Sequence, residues 1–120
     1  MAVRAVRGAT QVDRNERGAI LDRAAELVTT VLERNLIQSP DLISIIFTAT
    51  PDLTAEFPAY AARQLGLTDV PLLCATELAV PDSLPRVLRL LAHIETELPR
   101  DGIRHVYLHG AAALRTDLPR

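Results

Sequence analysis

The side chains in this sequence best suited to chemistry are arginines. The chain has thirteen basic residues, all of them Arg and none Lys. A guanidinium is a flat, permanently charged fork that pairs with carboxylates through two parallel hydrogen bonds. Arg7, Arg63, Arg89 and Arg115 stand near the ends of predicted elements, with Glu77 and Tyr107 as further polar candidates. Arg7 lies among small apolar residues just before Gly8. Arg89 is flanked by Leu88 and Leu90, and Arg115 ends the run Ala111-Ala112-Ala113-Leu114. These contexts predict partial burial, and a buried guanidinium requires an anionic partner. Residue types and spacing thus indicate a site for a polyanionic small molecule; they do not name a reaction.

The common catalytic sets do not occur. There is no glycine-rich phosphate loop, no pair of histidines at metal spacing on a helix, and no serine nucleophile elbow. Cys74 with a distant histidine would make a nucleophile pair; the alternative reading is a buried structural thiol. His93, His105 and His109 read as strand-surface residues rather than ligands. One cysteine provides neither an intrachain disulfide nor a cysteine-based zinc site. No metal and no cofactor is expected.

Length and charge narrow the class. A chain of 120 residues with a formal charge of -2 reads as a single domain spanning 1–120, with no bias toward nucleic acid or an anionic membrane. The first residues lack the apolar core of a signal peptide, and no apolar run approaches the roughly 20 residues that span a bilayer. The expected location is the cytoplasm. A domain of this size has little chain to spare for a deep private cleft, which a site shared between subunits would supply.

The elements that must position these residues follow from periodicity. Val3 to Thr10 reads as a strand ending near Gly8. A long helix follows, with Ile20, Leu21, Ala24, Leu27, Val28, Val31 and Leu32 at helical spacing, capped by Asp13 or Asn15. Ser39-Pro40-Asp41 is a turn. Leu42 to Thr48 is rich in β-branched residues and reads as a buried strand. Pro58 to Leu65 is a short helix stopped near Gly66, and Val70 to Ala75 is another strand. Ser83 to Leu98 fits two descriptions. Val87, Leu91, Ile94 and Leu98 make a helical stripe, whereas Leu88, Leu90, Ala92 and Ile94 alternate as in a strand. Ile103 to His109 reads as a strand with Ile103, His105, Tyr107 and His109 on one face. The class is α+β, with the helices massed on one side of a sheet.

Taken in order, several segments strongly resemble the monofunctional chorismate mutases that assemble as pseudo-α/β-barrels. They are Val6-Arg7-Gly8-Ala9-Thr10; Thr48-Ala49-Thr50-Pro51-Asp52-Leu53 with Phe57-Pro58-Ala59; Val70-Pro71 with Cys74 and Glu77; Val87-Leu88-Arg89; Ile103-Arg104-His105-Val106-Tyr107-Leu108; and Leu114-Arg115 with Asp117-Leu118. The resemblance covers essentially the whole chain. It implies a homotrimer with clefts at the subunit interfaces. Each protomer would be a five-stranded mixed sheet backed by one long helix and one short helix, with the stretch around Arg89 a strand.

By the same resemblance, the chain would be an isomerase of phenylalanine and tyrosine biosynthesis that rearranges chorismate to prephenate. Arg7 would bind a carboxylate and the bridging region, and Arg89 would donate to the ether oxygen and a carboxylate. Glu77 would accept from the substrate hydroxyl, with Cys74 beside it. Phe57 and Leu114 would be apolar walls, and Arg63, Tyr107 and Arg115 an anion-binding rim. Position 60 departs from the pattern, being Tyr where related sequences often carry Lys. Two other readings remain open: a similar trimer acting on another small carboxylate, such as an imine or enamine deaminase, and a non-catalytic chorismate-binding protein.

Overall fold

A computed structural model describes residues 1–114. Five strands form one sheet: β1 (Ala2–Gln11), β2 (Leu42–Ala49), β3 (Leu72–Thr76), β4 (Val87–Thr96) and β5 (Val106–Tyr107). Two α-helices accompany them, α1 (Arg17–Arg34) and α2 (Ala59–Gln64). The strand order is β3-β2-β4-β1-β5. β4 runs antiparallel to both its neighbours, while β3 and β5 join the edges in parallel. This is the mixed sheet with one long and one short helix that the family resemblance implies.

β4 occupies the centre of the sheet, which settles the ambiguous stretch as a strand. Its Leu90, Ala92 and Ile94 are buried against Leu27, Val28 and Val31 of α1, in one core that also takes Val6, Ile45 and Phe47. The intervening Arg89, Leu91, His93 and Glu95 turn to the other face. Alternation places one face of a strand against a neighbour, and here the ladders to β1 and β2 override a helix-favouring composition. A second core, beneath the start of α1, holds Val12, Ile20, Leu21, Ala24 and Leu88.

The helices lie on one face only. On the other, Val3 and Leu73 are each 60% exposed, and Ala5, Arg7 and Ala75 are exposed as well. A 3-10 segment at His109–Leu114 covers one end of this face, where Ala9, Tyr107 and Ala111 form a small buried cluster.

Three sequence expectations are corrected. β1 does not end near Gly8 but continues to Gln11. Gly8 is mid-strand, under α1, where a Cβ would lie 3.1 Å from Leu27 Cδ1 and 3.2 Å from Val31 Cγ2. The α1 N-cap is Glu16, without a side-chain cap, rather than Asp13 or Asn15. Asn15 is used elsewhere, as its Oδ1 accepts from the backbone N–H groups of Thr54 and Ala55, both at 2.9 Å. Finally, Ile103 to His109 is not one alternating strand. Only Val106–Tyr107 is strand, and His109 has φ +53°, which turns the chain out of the sheet. The preceding segment is held by buried Asn35 at the end of α1. Its Oδ1 accepts from Arg104 N–H at 2.7 Å and its Nδ2 donates to Arg104 C=O at 2.9 Å.

Candidate active site

Register on the open face brings the first group of candidate residues together. Arg89 on β4 lies opposite Ala9 of β1 on one side and Thr48 of β2 on the other. Arg7 lies opposite Leu91. Paired residues share a face, so Arg7 and Arg89 point the same way as diagonal neighbours, with Cα atoms roughly 7–8 Å apart. Glu77 follows β3, and its N–H donates to Ala49 C=O at 2.9 Å, which extends the β2–β3 pairing by one step. Its carboxylate accepts from Arg89 Nε, 3.1 Å from each oxygen, and from Thr48 Oγ1 at 2.7 Å.

Arg89, Glu77 and Thr48 line an open cleft of about 690 Å³ together with Leu114 and residues of the 76–84 loop. Both Arg89 hydrogen bonds to Glu77 run from Nε, and Arg89 pairs with no second carboxylate residue among the described residues. Arg7 and Arg63 are in no ion pair among the described residues. The partial burial expected from sequence context is met at Arg89 and not at Arg7 in the single chain. Arg7 is exposed, and the Arg89 side chain keeps 44% of its accessible surface.

A second group gathers around α2. Phe57, Arg63 and Cys74 line a cavity of about 560 Å³ with Glu56, Tyr60 and Leu73. Phe57 is 70% exposed, an unusual position for a large aromatic side chain. Cys74 alternates to the helix face of β3, away from Thr48 and Arg89, where it packs on the main core. Burial pushes its thiol pKa up, opposed in part by a hydrogen bond with the Ala59 backbone and by the Arg63 charge. A thiol held protonated is a poor nucleophile. Within one chain, then, Cys74 stands with Phe57 and Arg63 rather than beside Glu77.

Tyr107 is buried under the 3-10 segment that ends in Leu114. Arg115 lies outside the described residues. The N–H of Arg7 donates to His105 Nδ1 at 3.0 Å, a side-chain bond that continues the β1–β5 pairing. Tyr60 carries the Arg17 guanidinium over its ring at 5.4 Å.

Sequence reasoning missed four residues. Thr48 orients Glu77, and Asn15 ties down the loop that carries Phe57. Asn35 fixes the approach to Tyr107, and Arg17 pairs with Glu56 beside Phe57 at 2.9 Å. Thr48 was legible as part of the quoted Thr48–Leu53 motif; the others act across 39 to 69 residues of sequence and left no local signal.

Among the described residues no group of three or more His, Cys, Asp or Glu is arranged to hold a metal ion. No helix among them is long and apolar enough to cross a membrane.

Comparison with known proteins bears on the family and the fold. A family model for chorismate mutase type I matches residues 3–118. Chorismate mutase AroH of Thermus thermophilus is 52% identical over 117 residues, covering 97% of this chain and 96% of that protein. Chorismate mutase AroH of Bacillus subtilis is 40% identical over 119 residues, covering 98% and 94%. The solved structure of a chorismate mutase from Clostridium thermocellum superposes with a TM-score of 0.91 at 43% identity, covering 92% of this chain and 98% of that one. With the family model spanning nearly the whole sequence and a relative 52% identical over almost its full length, the chain belongs to the type I chorismate mutases.

Proposed function

We propose that this protein rearranges chorismate to prephenate, and that the cleft holding Arg89 and Glu77 is where the bonds change. In this rearrangement one C–O bond breaks while one C–C bond forms, within a single molecule. No proton is transferred, so no general acid or base is needed. Two physical tasks remain. A flexible dianion must be held in its folded, reactive conformer, which is a matter of entropy. Partial negative charge growing on the ether oxygen must also be stabilised, and a fixed guanidinium in a cleft does this better than reorganising water. An acceleration of about 10⁶ corresponds to roughly 8 kcal/mol.

The observation that carries the reading is the clamp on Arg89. Both Glu77 oxygens hold its Nε at 3.1 Å, and Thr48 holds Glu77 in turn. The guanidinium is therefore restrained at Nε before a ligand arrives, in a side chain that lines the cleft. Arg89 donates to the ether oxygen and a carboxylate, Arg7 to the second carboxylate. Glu77 accepts from the substrate hydroxyl, and Leu114 is an apolar wall. Phe57, Arg63 and Cys74 line a separate cavity in the single chain. We assign them, with Tyr107 and Arg115, to the wall and rim of a site closed by a neighbouring subunit.

The assembly we propose is a homotrimer. The uncovered sheet face, with Val3 and Leu73 exposed and Leu91 only half-buried, supports this, because a sheet face of that kind is stable when another surface covers it. A single free thiol, Cys74, suits a reducing compartment, and we place the protein in the cytoplasm.

The test is direct: purified protein is added to chorismate, and loss of chorismate ultraviolet absorbance is followed with prephenate as product. Turnover well above the spontaneous rate is expected. Tight binding of chorismate with no acceleration would overturn the catalytic reading in favour of a binding protein, and release of ammonia from an imine or enamine would favour a deaminase.

A further inference from the structure

The cavity around Phe57 and Arg63 contains a charge that does not suit an anion site. Glu56 lines it, and its side chain is only 18% exposed. Its Oε2 accepts from the Phe57 N–H at 2.9 Å, which fixes the carboxylate at the root of the aromatic side chain. Glu56 and Arg63 are the two charged residues lining this cavity. With these two alone the wall would be neutral, and a dianion would meet a carboxylate as readily as a guanidinium.

Arg17 alters that balance from outside the cavity. Its Nε donates to the other Glu56 oxygen, Oε1, at 2.9 Å, across 39 residues of sequence. Its guanidinium also lies 5.4 Å above the centroid of the Tyr60 ring, and Tyr60 is itself part of the cavity wall. A cation over an aromatic face is held electrostatically, so Arg17 has two independent restraints although it is more than half exposed.

We infer that Arg17 is a positioning residue for substrate capture: it neutralises Glu56, leaves Arg63 as the net charge of the wall, and holds the carboxylate that anchors the backbone of Phe57. Arg17 does not line the cavity, so its influence passes through Glu56. The inference rests on the reading of Phe57 and Arg63 as part of the chorismate site. A charge that guides and retains an anion without facing the reacting bond alters binding more than turnover.

The test is a double-mutant cycle on the full chain, read by steady-state kinetics with chorismate. Arg17→Gln exposes the Glu56 charge and is expected to raise KM about threefold to tenfold, with kcat within about twofold of the parent. Glu56→Gln on that background removes the unbalanced charge and is expected to return KM to within about twofold of the parent. Arg17→Lys keeps the charge and is expected to hold KM near the parent value. Thermal melting of each variant shows whether the fold is intact. If Arg17→Gln leaves KM unchanged, or if the double variant binds as weakly as Arg17→Gln alone, the relay through Glu56 is wrong. A fall in kcat together with a lower melting temperature would show a merely structural role and overturn it too. A parent protein that does not consume chorismate would overturn the functional reading, and this inference with it; an active parent with an unaltered Arg17→Gln variant would overturn the inference alone.

Discussion

Arg89 Nε sits between the two carboxylate oxygens of Glu77, 3.1 Å from each, and Thr48 Oγ1 donates to the same carboxylate at 2.7 Å. Arg89 comes from the central strand and Glu77 from just beyond an edge strand, so β2 lies between them and supplies the orienting hydroxyl. The pair is half-exposed on the Arg side, and ion pairs of this kind contribute at most about 1 kcal/mol to folding. Its consequence is geometric: a long, flexible side chain is held in one direction without using its outer nitrogens.

The first prediction separates that aim from stability. Arg89→Ala is expected to reduce turnover by about 10²–10³ while the melting temperature changes by no more than about 4 °C. Arg89→Lys is expected to stay well below the parent, because a point charge cannot reproduce a fork that meets an ether oxygen and a carboxylate together. Kinetics and calorimetry on the two variants decide it. Retained turnover in Arg89→Ala, with only a higher KM, would refute the electrostatic role.

The second concerns assembly. Arg7 and Arg63 lie in separate cavities within one chain. If the working site joins them across an interface, Arg7→Ala and Arg63→Ala will each be inactive alone. Mixed subunits should then regain activity, up to about a quarter of the parent in a cyclic assembly with random exchange. Unfolding and refolding the two variants together, then assaying the product, measures this. A fully active monomer by sedimentation would exclude the trimer.

The third concerns pH. Arg stays charged across the neutral range, so turnover at saturating chorismate should be nearly flat between about pH 6 and 9. Burial raises the Cys74 pKa above its ordinary value of 9.0, so the unfolded chain loses this proton first as pH rises. The contribution of the buried thiol to stability is complete below that ordinary value and declines as pH climbs through it toward the folded-state value. Denaturant titrations at pH 7 and pH 10 should show a steeper loss for the parent than for Cys74→Ala. A bell-shaped saturated rate that disappears in Cys74→Ala would instead identify a titrating catalyst.

The fourth tests the packing that holds the site strands in place. A Cβ at Gly8 would stand 3.1, 3.2 and 3.3 Å from Leu27, Val31 and Leu90. Two of these belong to α1 and one to β4, and all three contacts are with side-chain carbons, so the added methyl must push these side chains aside by a few tenths of an ångström in a packed core. Gly8→Ala is expected to destabilise by about 1–3 kcal/mol, measured by urea denaturation. An unchanged midpoint would show that the Leu27, Val31 and Leu90 side chains give way without cost.

The sequence alone determined the parts set by short-range pattern. Seven apolar positions from Ile20 to Leu32 defined α1, the β-branched run from Leu42 defined β2, and co-ordered motifs around Arg7, Phe57, Arg89 and Tyr107 indicated the family. Tertiary structure decided what depends on neighbours. Leu88 to Ile94 satisfied both a helical and a strand period, and only the ladders to β1 and β2 selected one. Gly8 looked like a strand end, but it is the space into which α1 packs. Asn15 looked like a helix cap, but its carbonyl is committed to Thr54 and Ala55. The Arg89–Glu77–Thr48 clamp joins residues 12 and 29 positions apart, and Arg17 reaches Glu56 across 39. Hydrogen bonds and charges act over a few ångströms in space, whatever the separation along the chain, so side chains that act on one another from distant positions were visible only after the sheet had brought them together.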